Sequence, residues 1–177
     1  MKFIFLGILT VCLSQISQAQ SAYVQIADAF DFWKNEQIAA GIYVALNRCN
    51  PDSVQAPALS IPDEVVMSFS DLNNDSLLDG LVVFEPVYCE GSSGKKWVQH
   101  QVLILSSPEG YRPDGTFFDA IKVANTTDRI ACYFDKLQEG LIMGTLYERS
   151  YYDAECCRSV TKPCFMFVGD TELKYYE

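Results

Sequence analysis

The chain has 177 residues, with 23 acidic and 13 basic side chains and a formal net charge of −10. This length fits one domain with a processing segment, and it is long enough to bury a hydrophobic core. The negative charge repels phosphate backbones and anionic lipid surfaces, and the sequence has no basic stripe to offset it. Nucleic acid is therefore not expected as a partner, whereas a cationic protein or a divalent metal is favoured.

Residues 1–19 have the three-part layout of a secretory signal peptide. Lys2 supplies the positive charge, the run Phe3–Leu13 is apolar, and Ala19 is a small residue before a cut. We expect cleavage after Ala19, which leaves residues 20–177 as one exported domain, periplasmic or extracellular. The apolar run is shorter than the roughly 20 residues of a membrane-spanning helix, so no transmembrane segment is predicted in the mature chain. A buried N-terminal strand is the alternative interpretation.

Lipidation is a second processing route for this segment. The run Leu9-Thr10-Val11-Cys12 is similar to the cleavage box of bacterial lipoproteins, in which the cysteine receives the lipid. The residue before that cysteine is normally small, and Val11 is not. We therefore favour cleavage after Ala19 over lipidation of Cys12.

Hydrophobic periodicity predicts a helix from Ile26 to about Arg48, followed by a loop to Pro62. The apolar residues that share one face of this helix are Ile26, Phe30, Trp33, Ala40 and Val44. Gln37 interrupts the stripe and Gly41 weakens the helix interior, so a break or kink is expected near them.

From Glu64 onward the pattern changes to short strands separated by turns. The predicted strands are Glu64–Phe69, Leu81–Cys89, Trp97–Leu105, Phe117–Val123, Ile130–Lys136, Leu141–Arg149, Val160–Val168 and Leu173–Tyr176. The stretch Pro108–Gly115 is interpreted as a connection. Short spacings without intervening helices favour an antiparallel meander. The expected fold is α+β, with an N-terminal helix packed on an antiparallel β-meander and disulfides that stabilise it.

One loop, residues 71–80, has the residue spacing of a calcium site. Asp, Asn, Asp and Asp stand at its relative positions 1, 3, 5 and 9. Oxygen donors at alternate positions can surround a hard cation such as Ca²⁺. Three carboxylates in so short a loop repel one another unless a cation lies between them. The alternative is an acidic turn whose Asp and Asn side chains bond their own backbone.

This loop departs from the EF-hand, which needs Gly at position 6 and Glu at position 12, where this chain has Ser76 and Val82. It resembles instead the shorter calcium loops of dockerin modules and of FG-GAP repeats, which in FG-GAP repeats lie between two strands. The resemblance implies calcium ligands from the side chains of Asp71, Asn73, Asp75 and Asp79 and from the backbone carbonyl of Leu77. It also implies a left-handed backbone at Ser76, which costs a non-glycine residue about 1 kcal/mol.

Most of the chain from Phe69 to the end also resembles short exported bacterial domains of unassigned function. The motifs that carry this resemblance are Asp71-Leu72-Asn73, Leu81-Val82-Val83, Gly91-Ser92-Ser93-Gly94 and the vicinal pair Cys156-Cys157. One departure is Arg158, which follows the cysteine pair where Pro is common in those domains. The resemblance implies a fold and an exported location, and it implies no activity.

The cysteines predict disulfides. Without Cys12, six remain, which are Cys49, Cys89, Cys132, Cys156, Cys157 and Cys164. An even number in an exported chain points to pairing in an oxidising compartment. Adjacent cysteines rarely bridge each other, which leaves about 12 of about 15 pairings. A bond between Cys157 and Cys164 would close a small hairpin, but the sequence leaves the connectivity open.

The sequence contains no catalytic constellation, so no enzyme is expected. His100 is the only histidine, and no Gly-x-Ser-x-Gly elbow accompanies it. A zinc site would need more histidine or a Cys-x-x-Cys pair. Acidic pairs such as Asp63 and Glu64 arise by chance in so acidic a chain.

The expected function is that of an exported calcium-binding domain in which the ion stabilises the fold and does no chemistry. A first alternative is a periplasmic inhibitor or immunity-type protein that binds a secreted cationic enzyme through its acidic surface. A second alternative is a small hydrolase that depends on carboxylates.

Overall fold

A computed structural model describes residues 2–49, 59–89, 99–119, 130–148, 150, 159–169 and 174–175. Side chains are described from Ser21 onward, except those of residues 130–131 and 174–175. The predicted turn at Gly91–Gly94 and the cysteines Cys156 and Cys157 lie outside the described residues.

The described chain contains one long helix followed by strands. The helix α1 (Lys2–Ala39) precedes a short 3-10 helix (Leu46–Arg48). The strands are β1 (Leu59–Ser60), β2 (Val66–Ser70), β3 (Asp79–Phe84), β4 (Val87–Tyr88), β5 (His100–Ser107), β6 (Gly110–Asp114), β7 (Ile130–Gln138), β8 (Leu141–Glu148), β9 (Val160–Met166) and β10 (Lys174–Tyr175).

The strands form two four-stranded antiparallel sheets and a two-stranded ribbon of β1 and β4. The first sheet has the order β2-β3-β5-β6, and the second has the order β10-β9-β8-β7. The α+β class, the antiparallel pairing and the presence of a disulfide are confirmed. The expected single meander is instead divided between two sheets.

Helix α1 ends earlier than the periodicity predicts, at Ala39 instead of near Arg48. Gly41 has a left-handed φ of 74°. The N–H of Ile42 bonds the carbonyl of Gln37 at 3.0 Å, and the N–H of Gly41 bonds the carbonyl of Ile38 at 3.0 Å. These bonds are a Schellman motif, in which a left-handed glycine satisfies the last carbonyls of a helix. The break expected near Gly41 is therefore the helix terminus itself.

The N-terminal part of α1 includes the segment predicted to be a signal peptide. The helix begins at Lys2 and continues through the predicted cleavage point after Ala19. Cleavage stays a prediction. No helix among the described residues is both long enough and apolar enough to cross a membrane.

The molecule has three layers, with the first sheet between α1 and the second sheet. Strand β3 is buried along its whole length because both of its faces are covered. Val82 and Phe84 belong to the cluster that includes Ile26 and Phe30 of α1. The alternate side chains of β3, Leu81 and Val83, belong to a second cluster. That cluster also contains Phe134, Ile142 and Met166 of the second sheet.

Several stretches differ from the sequence prediction. The predicted loop to Pro62 contains β1, and the predicted strand Leu81–Cys89 is divided between the end of β3 and β4. The predicted connection Pro108–Gly115 contains β6, an edge strand of the first sheet. Pro113 is accepted there because a residue without an N–H can lie at the edge of a sheet. Phe117 and Phe118 begin a predicted strand but lie in a turn, closed by a bond from the N–H of Asp119 to the carbonyl of Thr116.

Side-chain bonds join the two sheets where β2 meets β7. The hydroxyl of Ser68 accepts the N–H of Leu137 at 2.8 Å. The hydroxyl of Ser70 accepts the N–H of Gly140, in the turn between β7 and β8, also at 2.8 Å. The acidic loop begins directly after Ser70, so it starts at the junction of the two sheets.

One disulfide is formed among the described cysteines. Cys49, after the 3-10 helix, is bonded to Cys89, after β4. The participation of these two residues in a disulfide is confirmed. Their bond attaches the chain that follows α1 to the β1–β4 ribbon.

Candidate metal centre

The acidic loop, defined here as residues 71–79, connects β2 to β3. Leu72 lies within it and is buried in the core between the sheets, so the loop is anchored next to its first aspartate. Asn74 and Ser76 have left-handed φ values of 59° and 69°. The backbone conformation that the calcium-loop resemblance implies at Ser76 is therefore present.

The loop is organised by bonds from its backbone N–H groups to its own side chains. Asp71 accepts the N–H of Asp75 at 3.2 Å and that of Ser76 at 2.9 Å. Asn73 Oδ1 also accepts the N–H of Asp75, at 3.0 Å, and Asp75 Oδ1 accepts the N–H of Leu77 at 2.8 Å. These bonds are those of an acidic turn. The two oxygens of Asp71 each accept one of these N–H groups, so each keeps a further lone pair.

Asp79, the last acidic residue of the loop, is fully buried at 0% exposure. Its Oδ2 accepts the N–H of Leu72 at 2.7 Å. Its Oδ1 accepts both the N–H and the hydroxyl of Ser106 on β5, at 2.7 and 2.8 Å. A buried carboxylate with these donors holds the base of the loop to the neighbouring strand. Its role as a calcium ligand stays a prediction.

Ser106 brings two carboxylates of the loop together. Its Oγ lies 2.8 Å from Asp79 Oδ1 and 3.1 and 3.3 Å from the two oxygens of Asp75. A hydroxyl has one proton, so it can donate to only one of these oxygens at a time. The other two carboxylate oxygens then face the oxygen of Ser106 without receiving its proton.

Hydrogen bonds to the carboxylate lower the pKa of Asp75 in the acidic loop. The bond from the N–H of Leu77 is the largest cause that lowers the pKa of the exposed Asp75 carboxyl, with Ser106 and Asn73 adding to it against some desolvation. Burial raises the pKa of Tyr111, and the charges of Asp79 and Asp75 raise it further. The negative field of the loop therefore extends to the edge strand β6.

The predicted ligands are brought together only in part. In the part of the chain that the structure describes, no group of three or more His, Cys, Asp or Glu side chains is placed to hold a metal ion. Asp75 and Asp79 meet at the hydroxyl of Ser106. Nδ2 of Asn73 joins them, donating to Asp75 Oδ2 at 3.1 Å and to the carbonyl of Ser106 at 3.4 Å, whereas Asp71 bonds backbone N–H groups of the loop tip. Ser106 was not predicted from the sequence, and Leu72 was quoted only as part of the motif Asp71-Leu72-Asn73, without a role in the core. An apolar residue between Asp71 and Asn73 is a local signal of an anchor, but nothing local distinguishes Ser106.

His100 lies at the opposite end of β5 from Ser106 and belongs to a different environment. Nδ1 of His100 shares a hydrogen bond with the hydroxyl of the buried Tyr43. The ring of Phe84 lies beside it, with centroids 5.6 Å apart. Residues that cover the helix side of the first sheet therefore surround the histidine.

The Tyr43 hydroxyl provides a test of this environment by pH. Burial, and then the charge of Asp119, raise the pKa of Tyr43 to about 12 from the ordinary 10.0. The folded state thus holds the proton of the Tyr43 hydroxyl more tightly than the unfolded state does. The stability that this protonated hydroxyl contributes is lost as the pH rises from about 10 to about 12. We expect the stability difference between the wild type and Tyr43→Phe to shrink over that range. Urea unfolding at successive pH values measures it, and a constant difference would contradict the burial of an intact hydroxyl.

Comparisons with protein-family models, with curated proteins and with solved structures found no match. The assignment of a function therefore depends on the acidic loop and its neighbours.

Proposed function

We propose that this chain is an exported calcium-binding domain in which the acidic loop binds one Ca²⁺ and the ion stabilises the fold. The observation that carries the proposal is the approach of the Asp75 and Asp79 carboxylates to the single hydroxyl of Ser106. Like charges so placed repel each other, and a cation beside them removes the repulsion.

The chemistry of the donors favours calcium over softer metals. Side-chain oxygens of Asp71, Asn73 and Asp75 and the carbonyl of Leu77 would hold the ion, with Asp79 at the base of the loop. All of these are hard oxygen donors, and Ca²⁺ accepts six to eight of them, including water, in a flexible geometry. Mg²⁺ demands a stricter octahedron, which a loop already bonded to its own backbone satisfies less easily.

The position of the loop explains why the ion would be structural. Leu72 is part of the core between the sheets, Asp79 is bonded to β5, and Ser70 is bonded to the turn between β7 and β8. An ion held by the loop would strengthen the attachment of both sheets at one point. The proposed role of the loop is to bind an ion that stabilises the fold, and this role involves no catalytic step.

Thermal melts of the purified protein in chelator, in millimolar Ca²⁺ and in millimolar Mg²⁺ test the proposal. A ligand at 100 times its Kd stabilises the folded state by about 2.7 kcal/mol, which raises the melting midpoint by about 5–10 °C for a chain of this size. We expect this shift with calcium and a smaller one with magnesium. Three superimposed curves would show that the loop is only a turn.

Asp75→Ala is expected to lower the calcium affinity at least tenfold, because Asp75 is the exposed central carboxylate of the loop. Titration calorimetry measures the change. The matched control is Asp31→Ala, which removes the same charge from an exposed position on α1 and should leave the affinity within about twofold. Equal losses of calcium affinity in both variants would show that the effect comes from net charge. Unchanged affinity in Asp75→Ala would show that the loop is not the binding site.

Ser76→Gly is expected to stabilise the protein by up to about 1 kcal/mol in chelator, because glycine adopts the left-handed φ of 69° without a steric cost. Asn74→Gly is the matched control. Asn74 has a similar φ of 59°, but asparagine tolerates this region better than serine, so its replacement should gain less. Denaturant unfolding of both variants measures the difference. A loss of stability in Ser76→Gly, or a gain smaller than that of Asn74→Gly, would contradict a strained turn at Ser76.

A further inference from the structure

The second sheet places two cysteines side by side that belong to strands without direct pairing. Cys132 lies on β7 and Cys164 on β9, and their Sγ atoms are 3.0 Å apart. This separation is about 1 Å longer than a disulfide bond. We propose that Cys132 and Cys164 form a disulfide that joins β7 to β9 across β8. The proposal is independent of calcium binding.

The register explains how non-neighbouring strands bring their sulfurs together. Cys132 pairs with Leu146 of β8, and Cys164 pairs with Gly144 of the same strand. Directly paired residues share a face, and so do residues two apart along a strand, so both cysteines lie on the core face of the sheet. In a flat sheet the intervening strand would keep the sulfurs apart.

Two local features curl the sheet at this point. The register of β7 shifts between Phe134 and Lys136, and such a bulge increases the local twist. Gly144 has no side chain, and a Cβ at that position would lie 2.9 Å from the Cα of Phe134. Strand β7 therefore lies unusually close to β8 at Gly144, where β8 lacks a side chain, and this brings Cys132 over Gly144 to Cys164.

The bonding of the other cysteines with described side chains leaves Cys132 and Cys164 to pair with each other. Cys49 and Cys89 are bonded together, so among the cysteines whose side chains are described Cys132 and Cys164 are the remaining thiols. Cys164 is fully buried and Cys132 is partly buried. A Cys132–Cys164 bond rules out the hairpin closure of Cys157 with Cys164 that the sequence left open.

The chemistry of the bond is an ordinary thiol oxidation. The two thiols lose two protons and two electrons as the S–S bond forms, and the electrons reduce the disulfide of a thiol–disulfide oxidoreductase to its dithiol. Because Cys164 is fully buried in the folded state, an oxidoreductase reaches this thiol while the chain folds. The bonded residues are 32 positions apart, so the bond restricts the unfolded chain.

A tryptic map without reductant tests the pairing, on protein secreted through an oxidising compartment and treated with N-ethylmaleimide under denaturing, acidic conditions. Trypsin separates the relevant cysteines because Cys132 lies in peptide 130–136, Cys164 in peptide 159–174, and Cys156 with Cys157 in peptide 150–158. The expected product is peptide 130–136 linked to peptide 159–174, which separates on reduction. Linkage of either one to peptide 150–158, or N-ethylmaleimide on Cys132 and Cys164, would overturn the proposal.

A stability measurement distinguishes a bond from two packed thiols. The variant Cys132→Ala/Cys164→Ala should melt several degrees below the wild type in buffer without reductant. After reduction of the unfolded proteins and refolding in reductant, both have lost the Cys49–Cys89 bond, and the difference should shrink. A difference that does not depend on reductant would mean that the thiols contribute only by packing. If the double variant does not fold, the peptide map still decides the pairing.

Discussion

Asp79→Asn is expected to lower the free energy of unfolding by about 3 kcal/mol. The carboxylate of Asp79 is fully buried and accepts the N–H groups of Leu72 and Ser106 through its two oxygens. An amide of the same shape offers one oxygen and one NH₂ group, so one of these backbone donors would face another donor. A buried donor without an acceptor costs the full desolvation of that group.

Denaturant unfolding in chelator measures this loss without any contribution from a bound ion. The matched control is Asp63→Asn, because the Asp63 side chain is 81% exposed and its nearest cation, Nζ of Lys34, is 4.0 Å away. Exposed ion pairs contribute little, so this variant should stay within about 0.5 kcal/mol of the wild type. Similar losses in both variants would show that the burial and bonding of Asp79 have no special role.

Gly144→Ala is expected to cost about 3 kcal/mol, with a reduced yield of the Cys132–Cys164 bond. The added Cβ would meet the Cα of Phe134 at 2.9 Å and the carbonyl carbon of Tyr133 at 3.0 Å. These are backbone atoms and cannot rotate away, so β7 must move off β8. That movement withdraws the buried Phe134 ring from the core and separates the two sulfurs.

Gly169→Ala is the matched control for this substitution, because a Cβ at Gly169 would meet no atom of the described residues within 4 Å. It should change stability by less than about 0.5 kcal/mol and leave the linked peptides unchanged. Both variants are measured by denaturant unfolding and by the unreduced tryptic map. If Gly144→Ala were as stable as the control and retained the linkage, the close approach of β7 and β8 at this residue would be refuted.

The candidate site was predictable only where its signal was local. The oxygen donors of the acidic loop follow one another along the chain, and the turn at Ser76 depends on its own backbone, so spacing alone located both. Ser106 is 27 positions from Asp79 and reaches it only through the pairing of β3 with β5. The residues around Ser106 do not predict its contact with Asp79, because that contact depends on the register of β3 and β5 and not on neighbouring residues.

The α+β class, the helix before the strands and the place of the acidic loop were predictable from local patterns, because hydrophobic period and turn residues act over a few positions. Three features required the folded chain: the division of most strands between two four-stranded sheets, the covering of β3 on both faces, and the position of Cys132 beside Cys164. The polar strand β6 was missed for the same reason, since an edge strand is held by its neighbour's backbone and needs no apolar alternation. Long-range strand pairing and the curl of a sheet depend on how distant segments pack together, and local sequence patterns do not predict that packing.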